Sequence, residues 1–448
     1  MTRIIRALIV SAIAVAILAG CTETTLPEAT GKGTINAINA MPASPAVGFL
    51  IEERVLGSVG YKGTLGAQAF DDLSYNFNFE VVVFGAGGAT RIATQFVDMA
   101  ADIDYTLAVT GSVAAPVITQ WERPKRNWEG TETVFEVAFA HLSPALGDVD
   151  VYLGPTGTLP VLGAERAKMS FGDQVPEIDL GSEEYEVIIT ARDDPGTILY
   201  QSYDTFLSAR LSYTITIFDA DPSITGNISV RAITSNGLSS ELPDSNFLPT
   251  LRTVHAAFGT ENVDIYRDED FTAPIISDLG FGIITGDVPV LDGSVLYTYT
   301  AVGNPGAIIE EQIQSVSRGS RVTAVLAGMQ GSDLTSIVLT DNRRSIETQA
   351  KLRLIHAAAN FDTLDLYLVD TGSDIADTNP LISDLAFSTS SDFAPTIPGN
   401  YDLILTLPDD KTPIATPVPL NLVTGDVAEV IILDTIDPMV ADIVVTRF

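Results

Sequence analysis

Residues 351–370, KLRLIHAAANFDTLDLYLVD, carry a pattern that recurs along the chain. Leu352 and Leu354 alternate with Lys351 and Arg353, the period of a half-buried β-strand. The run closes on His356, a short loop follows, and Asp365-Leu366-Tyr367 opens a second strand. Asp365 stands nine residues after the histidine and Tyr367 eleven. The same intervals separate His255 from Asp264 and Tyr266, and His141 from Asp150 and Tyr152. These are the three histidines of the 448-residue chain, spaced 114 and 101 residues apart. Stepping back 102 residues from His141 reaches Asn39, in a strand-like context, with Gly48 and Leu50 where Asp and Tyr would stand.

Internal repetition of this kind outranks other sequence signals. Other landmarks return in register: IISDLGF at 275–281 and LISDLAF at 381–387, and a late strand at Tyr105–Val109, Tyr213–Phe218, Arg321–Leu326 and Val427–Leu433. Short alternating strands separated by turn residues fill each unit of roughly 100 residues, and about seven strands per unit fit an antiparallel sandwich. The expected fold is all-β: four tandem immunoglobulin-like antiparallel β-sandwich domains after a lipoprotein signal peptide. Composition shifts divide the chain into a signal peptide (1–20), a lipidated tether (21–33), a degenerate first repeat (34–121) and three further repeats (132–236, 248–342, 350–448).

Hydrophobic residues make up 46% of the chain and charged residues 18%, enough apolar material for several cores. The 58 acidic residues outnumber the 24 basic ones, giving a net charge of -34. Phosphate backbones repel such a chain, so a nucleic-acid partner is excluded. One cysteine rules out a disulfide framework and a cysteine zinc cluster, and the expectation is no cofactor and no metal.

Arg3 and Arg6 precede an apolar stretch from Ala7 to Gly20, too short to span a bilayer and the right length for a signal peptide. It ends in Leu18-Ala19-Gly20-Cys21, which resembles the lipobox of bacterial lipoproteins. That resemblance implies lipidation of Cys21 and a membrane anchor, since each buried CH2 contributes about 0.8 kcal/mol. Thr22, in place of Asp, implies the outer membrane by analogy with enterobacterial lipoproteins. Without Arg3 and Arg6 the mature chain carries 22 basic residues and a net charge of -36.

The hydrophobic strand, His-Ala, short loop and Asp-[Val/Leu/Ile]-Tyr resemble the bacterial domain of unknown function family 4397. The resemblance is good over 350–448 and 248–342, fair over 132–236, where His141-Leu142-Ser143 replaces His-Ala, and weak over 31–121. It implies an exported, often lipid-anchored protein with tandem domains, and no particular activity.

Three readings of function follow. The first is a non-enzymatic interaction or scaffolding protein of the cell envelope, a string of rigid modules whose partner is an envelope protein or a polysaccharide. The second is a carbohydrate- or calcium-dependent adhesion protein, with Asp219-Ala220-Asp221 and Asp268-Glu269-Asp270 as oxygen-rich loops. The third is an envelope hydrolase using a His-Asp base. No G-x-S-x-G, H-E-x-x-H or phosphate loop supports the third. His and Asp are therefore expected to form a structural clasp, the imidazole donating to the carboxylate, with Tyr on the same face as Asp. Trp121–Trp128 (WERPKRNW) holds both tryptophans with Arg123, Lys125 and Arg126. It reads as an interdomain joint, or else as a stacking platform for a sugar or anionic polymer.

Overall fold

The computed structural model describes residues 28–332 and 334–448. The expected signal peptide and Cys21 lie outside the described residues. Every regular element described is a β-strand. The first repeat holds β1 (Lys32–Asn39), β2 (Val47–Ile51), β3 (Arg54–Val59), β4 (Thr64–Asp71), β5 (Ser74–Val82), β6 (Ala89–Asp98), β7 (Ile103–Ser112) and β8 (Ala115–Pro124). The second holds β9 (Val134–His141), β10 (Val149–Gly154), β11 (Ala167–Met169), β12 (Gln174–Gly181), β13 (Glu184–Ala191), β14 (Asp194–Gln201), β15 (Thr205–Phe206), β16 (Ser212–Asp219), β17 (Ile228–Thr234) and β18 (Ser239–Leu242). The third holds β19 (Thr250–Phe258), β20 (Val263–Arg267), β21 (Ile276–Leu279), β22 (Val288–Pro289), β23 (Gly293–Ala301), β24 (Asn304–Val316), β25 (Arg321–Met329) and β26 (Thr335–Thr340). The fourth holds β27 (Ala350–His356), β28 (Thr363–Asp370), β29 (Ile382–Ala386), β30 (Thr389–Ser390), β31 (Ala394–Thr396), β32 (Gly399–Thr406), β33 (Val418–Leu422), β34 (Val427–Asp434) and β35 (Ala441–Arg447).

Each repeat folds into two sheets. One follows the order β4-β1-β7-β8, with β12-β9-β16-β17-β18, β22-β19-β25-β26 and β30-β27-β34-β35 as its counterparts. The other follows β3-β2-β5-β6, with β11-β10-β13-β14, β21-β20-β23-β24 and β29-β28-β32-β33 as counterparts. The sheets are not purely antiparallel: β1·β7, β9·β16, β19·β25 and β27·β34 pair in parallel. The chain leaves the first sheet after one strand, builds the second, and returns beside its own start in the same direction. A parallel pair is stable when both its faces are covered. One face covers the repeat's own core, as with Leu352, Leu354, Val430 and Ile432 in the fourth repeat.

The other face covers a neighbouring repeat, so the modules are not a string of separate beads. In the first pair, Ile38, Ala40 and Ala108 pack on Ala140, Leu142, Phe218 and Ile233. In the second, Val254, Ala256, Val325 and Ala327 pack on Ile355, Ala357, Ile431 and Leu433. This sheet-on-sheet burial explains why Ala350–His356 and Val427–Asp434 are buried along their whole length.

The two pairs stack end on end. Arg344, before β27, donates to the carbonyls of Pro42 (3.0 Å) and Ser44 (2.7 Å) in the first repeat. Thr225, after β16, donates to the carbonyl of Gly319 (2.8 Å), and Arg321 donates to that of Ile224 (3.0 Å). The ends where β19 and β27 begin therefore rest on the ends where β1 and β9 finish.

Towards the end where β19 and β27 begin, the third–fourth seam becomes ionic. Glu429 pairs with Arg252 across the seam and with Arg353 beside it. Asp341 pairs with Arg353 (3.3 Å) and accepts from Thr323 (2.7 Å). Glu429 is fully buried. Removing one partner of such a network strands the others in a dry seam, which costs about 3–5 kcal/mol. Glu429→Leu should lower stability by about that amount. Denaturant unfolding followed by circular dichroism checks this, and a change below about 1 kcal/mol would contradict the account.

Candidate functional site

The recurring histidines sit where the first strand of each repeat ends, on the face turned into its own sandwich. All three are fully buried. His141 Nδ1 accepts from the Ser143 amide (3.3 Å), and Nε2 faces the Gly147 carbonyl at 3.1 Å, so Nε2 carries the proton. His255 repeats this with the Ala257 amide (3.3 Å) and the Glu261 carbonyl (3.1 Å). His356 faces the Phe361 carbonyl, one residue nearer in sequence, without either ring nitrogen completing a hydrogen bond. In the second and third repeats the imidazole thus closes the loop that follows it.

The expected His-Asp clasp is not formed. The two residues begin in different sheets, and the carboxylate lies on the face of the second sheet turned away from the core. There it accepts amides of residues held at positive φ. Asp150 accepts from Asp193 (2.8 Å). Asp264 accepts from Asp278 and Gly303, both at 2.9 Å, and Asp365 accepts from Asp384 (2.8 Å). These turns expose amides that no ladder satisfies, and a carboxylate acceptor satisfies them. Tyr152, Tyr266 and Tyr367 occupy the same face as their aspartates and are buried; the Tyr367 hydroxyl meets Lys411 Nζ at 3.0 Å.

The partner of each histidine is an aromatic ring that sequence spacing alone does not single out. Phe171, Phe281 and Phe387 stand edge-on to His141, His255 and His356 at 6.5, 6.0 and 5.9 Å. The next residue has positive φ in each case (Gly172, Gly282, Ser388), and its amide returns to the histidine's own carbonyl at 2.9, 2.7 and 2.9 Å. The IISDLGF and LISDLAF landmarks end in Phe281 and Phe387, so histidine and landmark form one unit.

The first repeat keeps this unit in altered form. Asn39 Oδ1 accepts from the Met41 amide (3.0 Å), and Nδ2 donates to Ser44 and to the Val59 carbonyl, which is the histidine's job done by an amide. Tyr61 takes the phenylalanine's place, and Lys62, with φ of 59°, returns its amide to Asn39 O at 2.8 Å. Here the substituted side chains reach outward. Lys62 Nζ pairs with Asp221 (2.9 Å) and Glu241 (3.0 Å) of the second repeat. The Tyr61 hydroxyl donates to the Asp219 carbonyl (2.8 Å), and the Arg344 guanidinium lies near the Tyr61 ring. The degenerate repeat is therefore the junction on which its neighbours assemble.

This geometry also accounts for the acidic loops. Burial would raise the Asp221 carboxyl, but the Lys62 ammonium overrides it and holds the group below the usual carboxylate range. The Asp219 carboxylate accepts from Ser143 and the Ala145 amide. Asp268 pairs with Arg267, and Asp270 accepts from Thr272. Among the described residues no group of three or more His, Cys, Asp or Glu side chains is arranged to hold a metal ion.

In the WERPKRNW segment, β8 runs on through Pro124, further than expected. Trp121 packs in the first–second seam and donates to the Gly172 carbonyl (3.0 Å). Arg123 lies 3.6 Å from Asp104 and 4.0 Å from Glu136, bridging the two repeats. Arg126 pairs with Glu132, Glu136 and Asp179 and stacks on Trp128. Lys125 is exposed. The concave surfaces are open grooves. One of about 480 Å³ is lined by Pro42, Leu146, Ile198 and Asp219, and another of about 450 Å³ lies between Val338–Thr340 and Ser390–Phe393.

Burial pushes His141 and His255 below the usual imidazole range and His356 down to about 4. The unfolded chain binds a proton near pH 6.5, which the folded chain refuses until about pH 4. Stability is therefore intact above pH 6.5 and is lost on acidification towards pH 4, by about 3 kcal/mol from His356. His356→Asn, which copies Asn39, should keep the fold at pH 7 and flatten this acid slope. The pH dependence of the thermal midpoint measures it, and an unchanged slope would refute the assignment.

The family model described as "Domain of unknown function (DUF4397)" matches residues 33–152 and 249–367. Each match runs through one repeat and ends on the Asp-x-Tyr strand of the next. No curated protein matches the chain. Among solved structures, the Bacillus anthracis TIE protein is similar over 91% of this chain and 69% of its own, at 9% identity and a TM-score of 0.15. A family CBM26 module from Eubacterium rectale Amy13K, in complex with maltoheptaose, is similar over 41% of this chain and 91% of its own, at 13% identity and a TM-score of 0.14.

Proposed function

The chain belongs to the DUF4397 family, and from that premise we propose a non-enzymatic, lipid-anchored interaction or scaffolding protein of the bacterial cell envelope. One observation carries the reading: the recurring histidines are fully buried, His141 and His255 are bound to the loops that follow them, and the recurring aspartates cap turns of their own sheets. A general base must reach the proton it abstracts. Three fully buried imidazoles held neutral by their surroundings have no such reach. What the fold offers a partner is a two-by-two block of sandwiches with an acidic exterior and open grooves.

The anchor is Cys21, joined to the first strand by a tether of about ten residues. The partner is an envelope protein or a polysaccharide, and the face of the outer membrane on which the block sits follows from accessibility. Metabolic labelling with a fatty-acid probe should mark the wild-type chain, and Cys21→Ser should abolish the label and release the protein from membranes. Label retained in Cys21→Ser would overturn the anchor. Protease shaving of intact cells then assigns the face: degradation marks the outer surface, and protection lost on permeabilisation marks the periplasm.

A further inference from the structure

The four repeats differ in the loop that follows the Asp-x-Tyr strand. In the third repeat it opens on the acidic Asp268-Glu269-Asp270, with Phe271 packed on Tyr266, and in the fourth it opens on the polar Thr371-Gly372-Ser373-Asp374, with Ile375 buried. In the first it is the two-residue turn Glu52-Glu53. In the second it is Pro155–Arg166, PTGTLPVLGAER, between β10 and β11. Leu159, Val161 and Leu162 are 77%, 60% and 57% exposed there. Leu159, Val161 and Leu162 together form an exposed apolar patch of the kind that contacts something apolar.

The place of this loop says what that contact is. Gly154 pairs with Glu186 near the start of β13, and the preceding turn pairs Gly181 with Val134, where β9 begins. The loop therefore projects from the end at which β9 starts. The first repeat lies alongside in the same direction: Arg123 joins Asp104 to Glu136 at one level, and Ile38 and Ala40 meet Ala140 and Leu142 further along. The start of β1 is thus at the same end as the loop. Thr30 and Gly31 are held there by the Asp72 carboxylate. From Glu28 back to Cys21 is seven residues, which span at most about 25 Å. The third and fourth repeats are stacked on the opposite end. Of the four equivalent loops, the apolar one is at the end that a lipid on Cys21 would hold against a bilayer.

We propose that the Leu159–Leu162 loop is a second membrane contact, seated in the interfacial region of the bilayer that the N-terminal anchor reaches. This rests on the anchored reading of Cys21. The first repeat presents Glu52, Glu53, Asp71 and Asp72 at that end, so the contact favours zwitterionic over anionic lipid. A short apolar loop binds weakly alone; tethering raises its effective concentration at the surface.

The described strands and cores are all contained in a chain of residues 22–448, which permits a test independent of lipidation. The chain is tethered by an N-terminal histidine tag to phosphatidylcholine vesicles containing nickel-chelating lipid, with Leu159→Trp or, in the equivalent fourth-repeat loop, Ala376→Trp. Brominated phosphatidylcholine should quench the added fluorescence at 159 at least about threefold more than at 376. Moving the tag to the C-terminus, or adding Val161→Ser and Leu162→Ser, should remove the difference. Equal quenching at the two positions would overturn the proposal. So would concentration-dependent dimerisation in lipid-free solution that Leu159→Ser abolishes, because the loop would then be a protein contact. Failure of fatty-acid labelling at Cys21 would remove the natural anchor and leave these quenching results unchanged.

Discussion

The constraint on which the rest of this structure depends is the parallel strand pair at the centre of each repeat. A chain that begins in one sheet, builds the other and returns beside its own first strand buries that strand from both sides. The outer face of the pair must then be covered, and in this protein another repeat covers it. The strands record this: small apolar residues such as Ala256, Ala327 and Ala357 lie at the seam and let the sheets approach closely.

The same seam explains the use of arginine. Arg outnumbers Lys by 18 to 6. Arg252, Arg353, Arg343, Arg321, Arg344 and Arg123 all lie at seams between repeats or in their connectors. A planar guanidinium with five donors bridges several carboxylates or carbonyls at once, which a lysine ammonium does less well in a confined seam. These six of the 18 arginines therefore have a local structural role at the seams. Much of the acidic excess faces outward, and the part that faces the seams is paired.

The repeat's polar markers and its departures from them have distinct roles. Histidine and asparagine both offer an acceptor to the amide two residues on, and this bond closes the loop in the first three repeats. The first repeat exchanges Phe and a small residue for Tyr61 and Lys62, and the exchange turns an internal loop into a junction with the second repeat and the final connector. Loss of a marker in one copy of a tandem array is here a gain of an intramolecular contact.

The fold class was legible because alternation of apolar and polar residues reports a strand locally, and because three histidines with identical spacing reveal the repeat without any three-dimensional information. The shared face of Asp and Tyr was legible for the same reason, since a strand has a period of two. The partner of each group was not: His and Asp lie nine residues apart in sequence, yet the chain crosses from one sheet to the other between them. Strand direction, the pairing of repeats and the ionic seam depend on residues far apart in sequence, as with Arg252 and Glu429. Sequence by itself determined the all-β repeats and the acidic charge, because these are properties of short segments and of composition. Tertiary structure alone decided that the repeats form two stacked pairs and that the apolar loop shares an end with the start of β1, because burial of a sheet's second face depends on which surfaces meet.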